Sequence, residues 1–436
     1  QKTAYEMLRS LVGSEMCIRD SHKTLNFLPS DAEMERLRDE TRKIVEAIKK
    51  NVIIQRINAE VFVGGSFKKG TIMRSDNYDI DIFVRFSKKY DENKISELLE
   101  KIISGIGEYQ RIHGSRDYFR ISNKEITFEI IPVMKISKPS EAKNVMDLSY
   151  FHVNYVKKKA RNKEILNEIV LAKRFCKANR VYGAESYISG FSGYALECLI
   201  IYYKTFEKML KELVKAKEKI VIDIEKKYKN KNEIMIEMNA SKTKSPIVVV
   251  DPTWKDRNVL ASLSNETFDR FRKAAKEFLK NPDKKFFEIA KLDEYGMRED
   301  AKKNNAEFVK IILETDRQEG DIAGTKMKKF ANFLEREAGK YFDIKTKEFD
   351  YNGGKQGELY LIGKKKKEIL KKGPPAKMRE NAIAFRNSNK KVIVKKGVLY
   401  AKADINFLLS EFIEEFYKTY KSQIANMGVT GLRVVR

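Results

Sequence analysis

Apolar positions along this chain repeat first at helical and then at strand spacing. Ser30 followed by Glu33 forms a capping box, and Met34, Leu37, Ile44, Val45 and Ile48 recur every three or four residues, predicting an amphipathic helix. Residues 61–86 read VFVGGSFKKGTIMRSDNYDIDIFVRF. They predict an apolar strand at 61–63, a Gly-Gly-Ser turn at 64–66, a short polar helix or loop, and a second strand. In that second strand alternate residues share a face, so Ile80, Ile82 and Val84 point to the core and fix the register. Asp79 and Asp81 then stand together on the accessible side, about 6.6 Å apart along the strand. Ile95, Leu98, Leu99, Ile102 and Ile106 mark a further helix. Residues 118–121, the turn Ser122-Asn123-Lys124 and the run ITFEIIPV predict a hairpin in which Ile126, Phe128 and Ile130 share one face and Glu129 points to the other.

From about residue 146 the pattern is helical. Ile165, Leu166, Ile169, Ala172 and Phe175 form a stripe, and residues 191–206 are apolar nearly all round, which predicts a buried central helix. The Lys/Glu-rich residues 204–244 predict a long exposed helix followed by a strand at 219–224. A strand at 247–250 runs into Asp251-Pro252, and Phe268, Phe271, Ala275 and Phe278 line a helix over 267–279. In the last third the pattern predicts helices at 301–313 and 326–340 and strands at 358–362 and 391–394. Lys364, Lys365, Lys366, Lys367, Lys371, Lys372, Lys377 and Arg379 cluster around an expected Gly-Pro-Pro turn at 373–375. These shifts divide the chain into a head (28–145), a central region (146–287) and a body and tail (288–436). Residues 1–27 are set apart as a non-native segment, because QKTAYEMLRSLVGSEMCIRDS resembles a translated adaptor scar.

Composition adds a partner. The 88 Lys and Arg exceed the 62 Asp and Glu, a formal charge of +26 over 436 residues. Such an imbalance points to a polyanion, since each phosphate neutralised releases counterions. The three cysteines, Cys17, Cys176 and Cys198, lack the spacing of a disulfide framework or zinc site, which predicts a reducing, cytoplasmic setting. The longest apolar run is too short to cross a bilayer and no secretory leader is visible, so no membrane association is expected. A homodimer is compatible with the sequence, which does not fix the oligomeric state.

Paired carboxylates as close as Asp79 and Asp81 repel unless a cation lies between them, and hard Mg²⁺ prefers such oxygen ligands while keeping positions open for substrate phosphates. The glycines of Gly64-Gly65-Ser66 let backbone N–H groups approach an anion, and Lys69 follows with a mobile positive charge. GGSFKKGT followed by DIDIFV resembles the Gly-Ser and paired-carboxylate signature of the nucleotidyltransferases related to DNA polymerase beta. That resemblance implies a third carboxylate on a neighbouring strand, for which Glu129 is the candidate.

FHVNYV, LAKRFCKANRVYGAESYISGFSGYALECLIIYY and VVVDPTWKDRNVLASLS narrow the resemblance to the archaeal CCA-adding enzymes over roughly residues 28–287. The resemblance implies an α+β fold with a polymerase-beta-like head built on a mixed sheet with helices, a helical central domain, and an α+β body and tail. It implies template-independent addition of C, C and A from CTP and ATP to the acceptor stem and 3′ end of tRNA. Asp79, Asp81 and Glu129 would bind Mg²⁺. Gly65, Ser66, Lys69, His152, Lys173 and Tyr182 would hold the triphosphate, and Arg257 would read the base. Two positions depart from the family pattern: Glu129 stands where Asp is expected and Lys69 where Arg is expected. Other readings are a poly(A) polymerase or oligoadenylate synthase-like enzyme of the same superfamily, or an inactive RNA-binding relative.

Overall fold

The computed structural model describes residues 27–389 and 391–435. Most of the segment set apart at the N-terminus, including Cys17, lies outside the described residues. The chain forms two compact units. The first runs through Ala184 and resumes over Ile188–Ile289, and the second comprises Glu185–Tyr187 and the chain from Ala290 onward.

The first unit begins with helix α1 (Asp31–Ile54), where the Ser30 and Glu33 capping box forms as expected. Strand β1 (Ala59–Val63), the one-turn helix α2 (Gly65–Lys69) and strand β2 (Tyr78–Phe86) follow. Helix α3 (Ile95–Ile103) then leads to β3 (Gln110–Ile112), β4 (Tyr118–Asn123) and β5 (Ile126–Met134). The sheet order is β1-β2-β5-β4-β3, parallel only between β2 and β5. Ile80, Ile82, Val84, Phe128 and Ile130 are fully buried against Leu37 and Ile48 of α1 and Leu99 and Ile102 of α3. That burial leaves Asp79, Asp81 and Glu129 on the opposite face. Helix α3 stops at Ile103 rather than running on to Ile106, because Gly105 turns the chain at φ +82°; Ile106 still packs on the core.

The central helices are α4 (Ser149–Lys159), α5 (Lys163–Ala178), α6 (Gly193–Tyr203) and α7 (Phe206–Lys215). Beyond them come β6 (Ile220–Asp223), α8 (Lys231–Glu237), α9 (Ala240–Thr243), β7 (Ile247–Val250) and α10 (Asn265–Lys280). The buried central helix expected within residues 191–206 is α6, which ends at Tyr203. Lys204 adopts φ +76° and Thr205 caps a new helix, its hydroxyl accepting from the Lys208 N–H. The Lys/Glu-rich segment is not an exposed helix: α7 buries Phe206, Met209, Leu210 and Leu213, a one-sided stripe that average composition conceals. Phe175 of α5 centres the core, its ring 5.3 to 6.4 Å from those of Phe206, Phe271, Phe278, Phe286 and Phe287. The thiols of Cys176 and Cys198 are free and buried.

The second unit holds helix α11 (Glu294–Lys303), β8 (Glu307–Glu314), α12 (Asp321–Ala338), β9 (Phe342–Tyr351) and β10 (Gln356–Lys365). It continues through β11 (Ile369–Pro375), α13 (Arg379–Asn387), β12 (Val392–Lys395), β13 (Val398–Ala403), α14 (Leu409–Asn426) and β14 (Gly431–Val435). The helix expected over 301–313 is instead the end of α11 and strand β8, where Val309, Ile311 and Leu313 alternate into the core of the sheet β14-β8-β10-β9. Gly373-Pro374-Pro375 is no turn. It lies in β11 at the edge of the sheet β11-β13-β12, where missing N–H groups are tolerated and the register shifts between Lys372 and Pro375. Lys364, Lys365, Lys367, Lys371, Lys372, Lys377 and Arg379 are exposed, whereas Lys366 is partly buried and donates to the Gly339 carbonyl at 2.5 Å. Among the described residues, no helix is long and apolar enough to cross a membrane.

The central core supplies a stability test. Phe175→Ala removes a fully buried ring that touches five others, and chemical denaturation should show a loss of about 3 to 5 kcal/mol in the first unit. A loss below about 1 kcal/mol would contradict the placement of this ring at the core's centre.

Candidate active site

Period-two alternation in β2 places Asp79 and Asp81 on one face, and parallel pairing sets Glu129 directly opposite Asp81. Strand β5 lies between β2 and β4, so Glu129 is not an edge-strand charge. Arg120 of β4 donates to Glu129 Oε1 from Nε at 2.9 Å and lies 2.7 Å from it through Nη2. Burial, then the adjacent charge of Glu129, pushes the Asp81 carboxyl up to about 7, while Lys69 pulls it down. Desolvation raises Asp79 as well. Three carboxylates gathered on one ladder at such an electrostatic cost form a donor set that suits a hard cation. Among the described residues, no group of three or more His, Cys, Asp or Glu side chains is placed to hold a metal ion.

The Gly-Gly-Ser turn lies against these carboxylates. Gly64 N–H donates to the Asp81 carbonyl at 2.8 Å. Gly65 has φ +58°, and a Cβ there would fall 1.7 Å from Asp81 Oδ2, so only glycine allows both the turn and the approach. Ser66 enters the first turn of α2, and its carbonyl accepts from Thr71 N–H at 2.9 Å, folding the segment back.

Lys69 reaches away from the sheet to the central helices. Its Nζ lies 2.8 Å from Glu197 Oε2, while Lys173 Nζ lies 2.8 Å from Glu197 Oε1. Thr71 Oγ1 donates to Glu197 Oε1 at 2.7 Å and accepts from Lys173 Nζ at 2.9 Å. Glu197 and Lys173 are each 1% exposed. Burial alone would raise the Glu197 carboxyl, but the charges of Lys173 and Lys69 outweigh it and hold it at about 2. Burial lowers Lys173, and Glu197 opposes that shift. A side chain on Gly193, the first residue of α6, would come within 2.9 Å of the Tyr182 hydroxyl and 3.6 Å of Lys173 Nζ. Lys173 and Tyr182 thus meet at the N-terminal turn of α6.

His152 and Arg257 meet through a second buried carboxylate. Asp251 Oδ2 is 3.1 Å from His152 Nε2 and 2.7 Å from Arg257 Nη1. Its Oδ1 accepts from the Tyr194 hydroxyl at 3.1 Å and from Thr253 N–H and Oγ1 at 2.8 Å. Asp251 is held well below the usual carboxylate range: His152 and Arg257 overcome the opposing effect of burial. Burial in turn lowers His152. The His152 ring stacks on Tyr194 at 3.9 Å, and Lys69 Nζ stands 5.3 Å from the centre of the Tyr194 ring.

All ten candidate catalytic and nucleotide-binding residues, from Gly65 to Arg257, therefore lie within the first unit, whereas the basic residues 364–379 lie in the second. The residues that sequence reasoning did not single out are Thr71, Tyr194 and Glu197, which together with Asp251 tie the others together. Glu197 left a signal, a lone charge inside the apolar run YALECLII; Asp251 left another, an acid closing the strand IVVV.

A family model for the Second Messenger Oligonucleotide or Dinucleotide Synthetase domain matches residues 22–147, and one for the second domain of tRNA nucleotidyltransferase matches residues 167–288. The CCA-adding enzyme of Nanoarchaeum equitans is 35% identical over 405 residues, covering 91% of this chain and 95% of the relative. Those of Saccharolobus islandicus (33% identical; 70% of this chain, 69% of the relative) and Methanocaldococcus jannaschii (29%; 92% and 90%) are also similar. The likeness to the Nanoarchaeum and Methanocaldococcus enzymes extends over nearly the whole of both chains, and on that basis the chain belongs to the CCA-adding enzyme family of nucleotidyltransferases.

Proposed function

We propose that this chain adds C, C and A to the 3′ end of tRNA from CTP and ATP, without a template, and releases pyrophosphate. The observation that carries the reading is the alignment of Asp79, Asp81 and Glu129 on one face of β2 and β5, with Gly65 pressed against Asp81. Asp79, Asp81 and Glu129 would hold Mg²⁺, which when bound lowers the pKa of the primer 3′-hydroxyl and neutralises phosphate charge. The close turn at Gly64-Gly65-Ser66 presents backbone N–H groups and the Ser66 hydroxyl to the triphosphate. Lys69 and Lys173 supply positive charge to its outer phosphates, joined by the Tyr182 hydroxyl and the His152 ring. Such contacts position the α-phosphate for in-line attack by the hydroxyl and stabilise the departing pyrophosphate. Lys69 lacks the bidentate fork of Arg, which loosens its grip on a phosphate. The exposed lysines around β11 suit sequence-independent contact with an RNA backbone.

Arg257 bears on the choice of base. Cytosine and adenine both offer an amine beside a ring-nitrogen acceptor, whereas uracil and guanine offer a carbonyl beside a ring N–H. The guanidinium is donor-only, and its Nη1 bond to Asp251 leaves further N–H groups available. A donor in that place meets an acceptor in both correct bases and another donor in both wrong ones.

Incubation with labelled CTP and ATP and a tRNA lacking its terminus tests the activity. Addition that stops after CCA is expected; a long A tail, or RNA binding without incorporation, would sink the reading. Asp81→Asn should lower incorporation by at least about a hundredfold, the scale of one preorganised electrostatic contact, while RNA affinity stays equal or rises slightly. Arg257→Ala should lower kcat/KM for CTP and ATP and leave UTP and GTP little changed, since a buried donor facing a donor costs roughly 1 to 3 kcal/mol. An equal loss for all four nucleotides would confine Arg257 to its ion pair with Asp251.

A further inference from the structure

Glu197 is the only charged side chain on α6, and at 1% exposure it has no contact with solvent worth counting. A buried carboxylate in an apolar helix is costly unless its partners repay it. Here one carboxylate meets two ammonium groups, Lys69 on Oε2 and Lys173 on Oε1, each at 2.8 Å. Two positive charges against one negative leave one positive charge uncompensated. Without the carboxylate, two ammonium groups brought this close would repel, and Lys173, fully buried, would shed its proton. The groups that face Lys173 are Glu197 and the N-terminal turn of α6, Thr71, the Lys69 charge from α2, the Asp81 charge from β2, and the Tyr182 hydroxyl near Gly193.

We propose that Glu197 is the positioning residue of the polyphosphate cradle. One oxygen on each lysine holds Lys69 of the head and Lys173 of the central helices side by side and charged, with one positive charge left over for the incoming nucleotide. The inference rests on the reading that Lys69 and Lys173 hold the triphosphate, and it adds what keeps them able to do so. Glu197 touches no reacting atom in this account. It acts through the two lysines, so its loss alters the pH dependence of anion binding rather than the chemistry at Asp79 and Asp81.

Calorimetry on the full chain tests this, with inorganic tripolyphosphate as the probe, from pH 6.5 to about 9.5, for wild type, Glu197→Gln, Glu197→Asp and Lys173→Met. Removing the carboxylate removes what favours the Lys173 ammonium, so its proton leaves at lower pH and the anion is lost as pH rises. The ratio of wild-type to Glu197→Gln affinity should therefore grow with pH, approaching about tenfold per unit above the new ionisation. Glu197→Asp, which restores the charge, should keep a ratio that does not change with pH. A Glu197→Gln variant whose ratio stays constant overturns the inference. Tripolyphosphate binding by Lys173→Met at wild-type strength overturns the reading of the cradle itself and the inference with it, and the two failures are distinguishable. Should Glu197→Gln not fold, the Lys173 side-chain resonance of the wild type, identified by its absence in Lys173→Met, decides: it should stay protonated from pH 6 to about 9, and a titration inside that window overturns the inference.

Discussion

One buried carboxylate with two lysines joins the halves of the first unit. Glu197 sits on a helix of the central region, Lys69 and Thr71 follow the Gly-Ser turn of the head, and Lys173 comes from the helix packed beside α6. Removing one partner of such a buried cluster costs about 3 to 5 kcal/mol, because the remaining charge is stranded away from water. The cluster therefore does more than fill space. It sets the position of the segment 64–71 against the central helices, and that segment carries the turn that approaches Asp81.

Charges of opposite sign are separated on either side of that turn. Carboxylates gather on the sheet face, where crowding and burial push Asp81 up to about 7, and lysines gather on the helical side, where Glu197 stays ionised at about 2. Gly65, with no side chain, lets the two regions meet within a few ångströms. A metal ion on one side and a polyphosphate on the other would each cancel an imbalance that the folded chain has already built, which is how preorganised sites avoid reorganising during reaction.

Much of this was legible in the sequence because strong local patterns carried it. Alternation fixed which faces Asp79, Asp81 and Glu129 occupy, since a one-residue slip would bury them and expose Ile80, Ile82 and Ile130. The capping box at Ser30 and the Phe268, Phe271, Ala275, Phe278 stripe also formed as read. What periodicity could not show was where an apolar stretch breaks. Residues 191–206 divide at Lys204, whose left-handed backbone no composition reveals, and residues 301–313 change from helix to strand because β8 is completed by partners distant in the chain. The connecting groups Thr71, Tyr194 and Glu197 were not legible for a related reason. Each gains its meaning from residues far along the chain, as Glu197 does from Lys69, and single-segment patterns hold no record of such pairs.

The central claim is that the turn of the head and the N-terminal turn of α6 form one nucleotide site through the lysines that share Glu197. Amide hydrogen exchange with and without CTP and Mg²⁺ tests it most directly. The account predicts that residues 64–71 and 193–197 gain protection together and at the same nucleotide concentration. Protection confined to the head, with residues 193–197 exchanging at an unchanged rate, would contradict it.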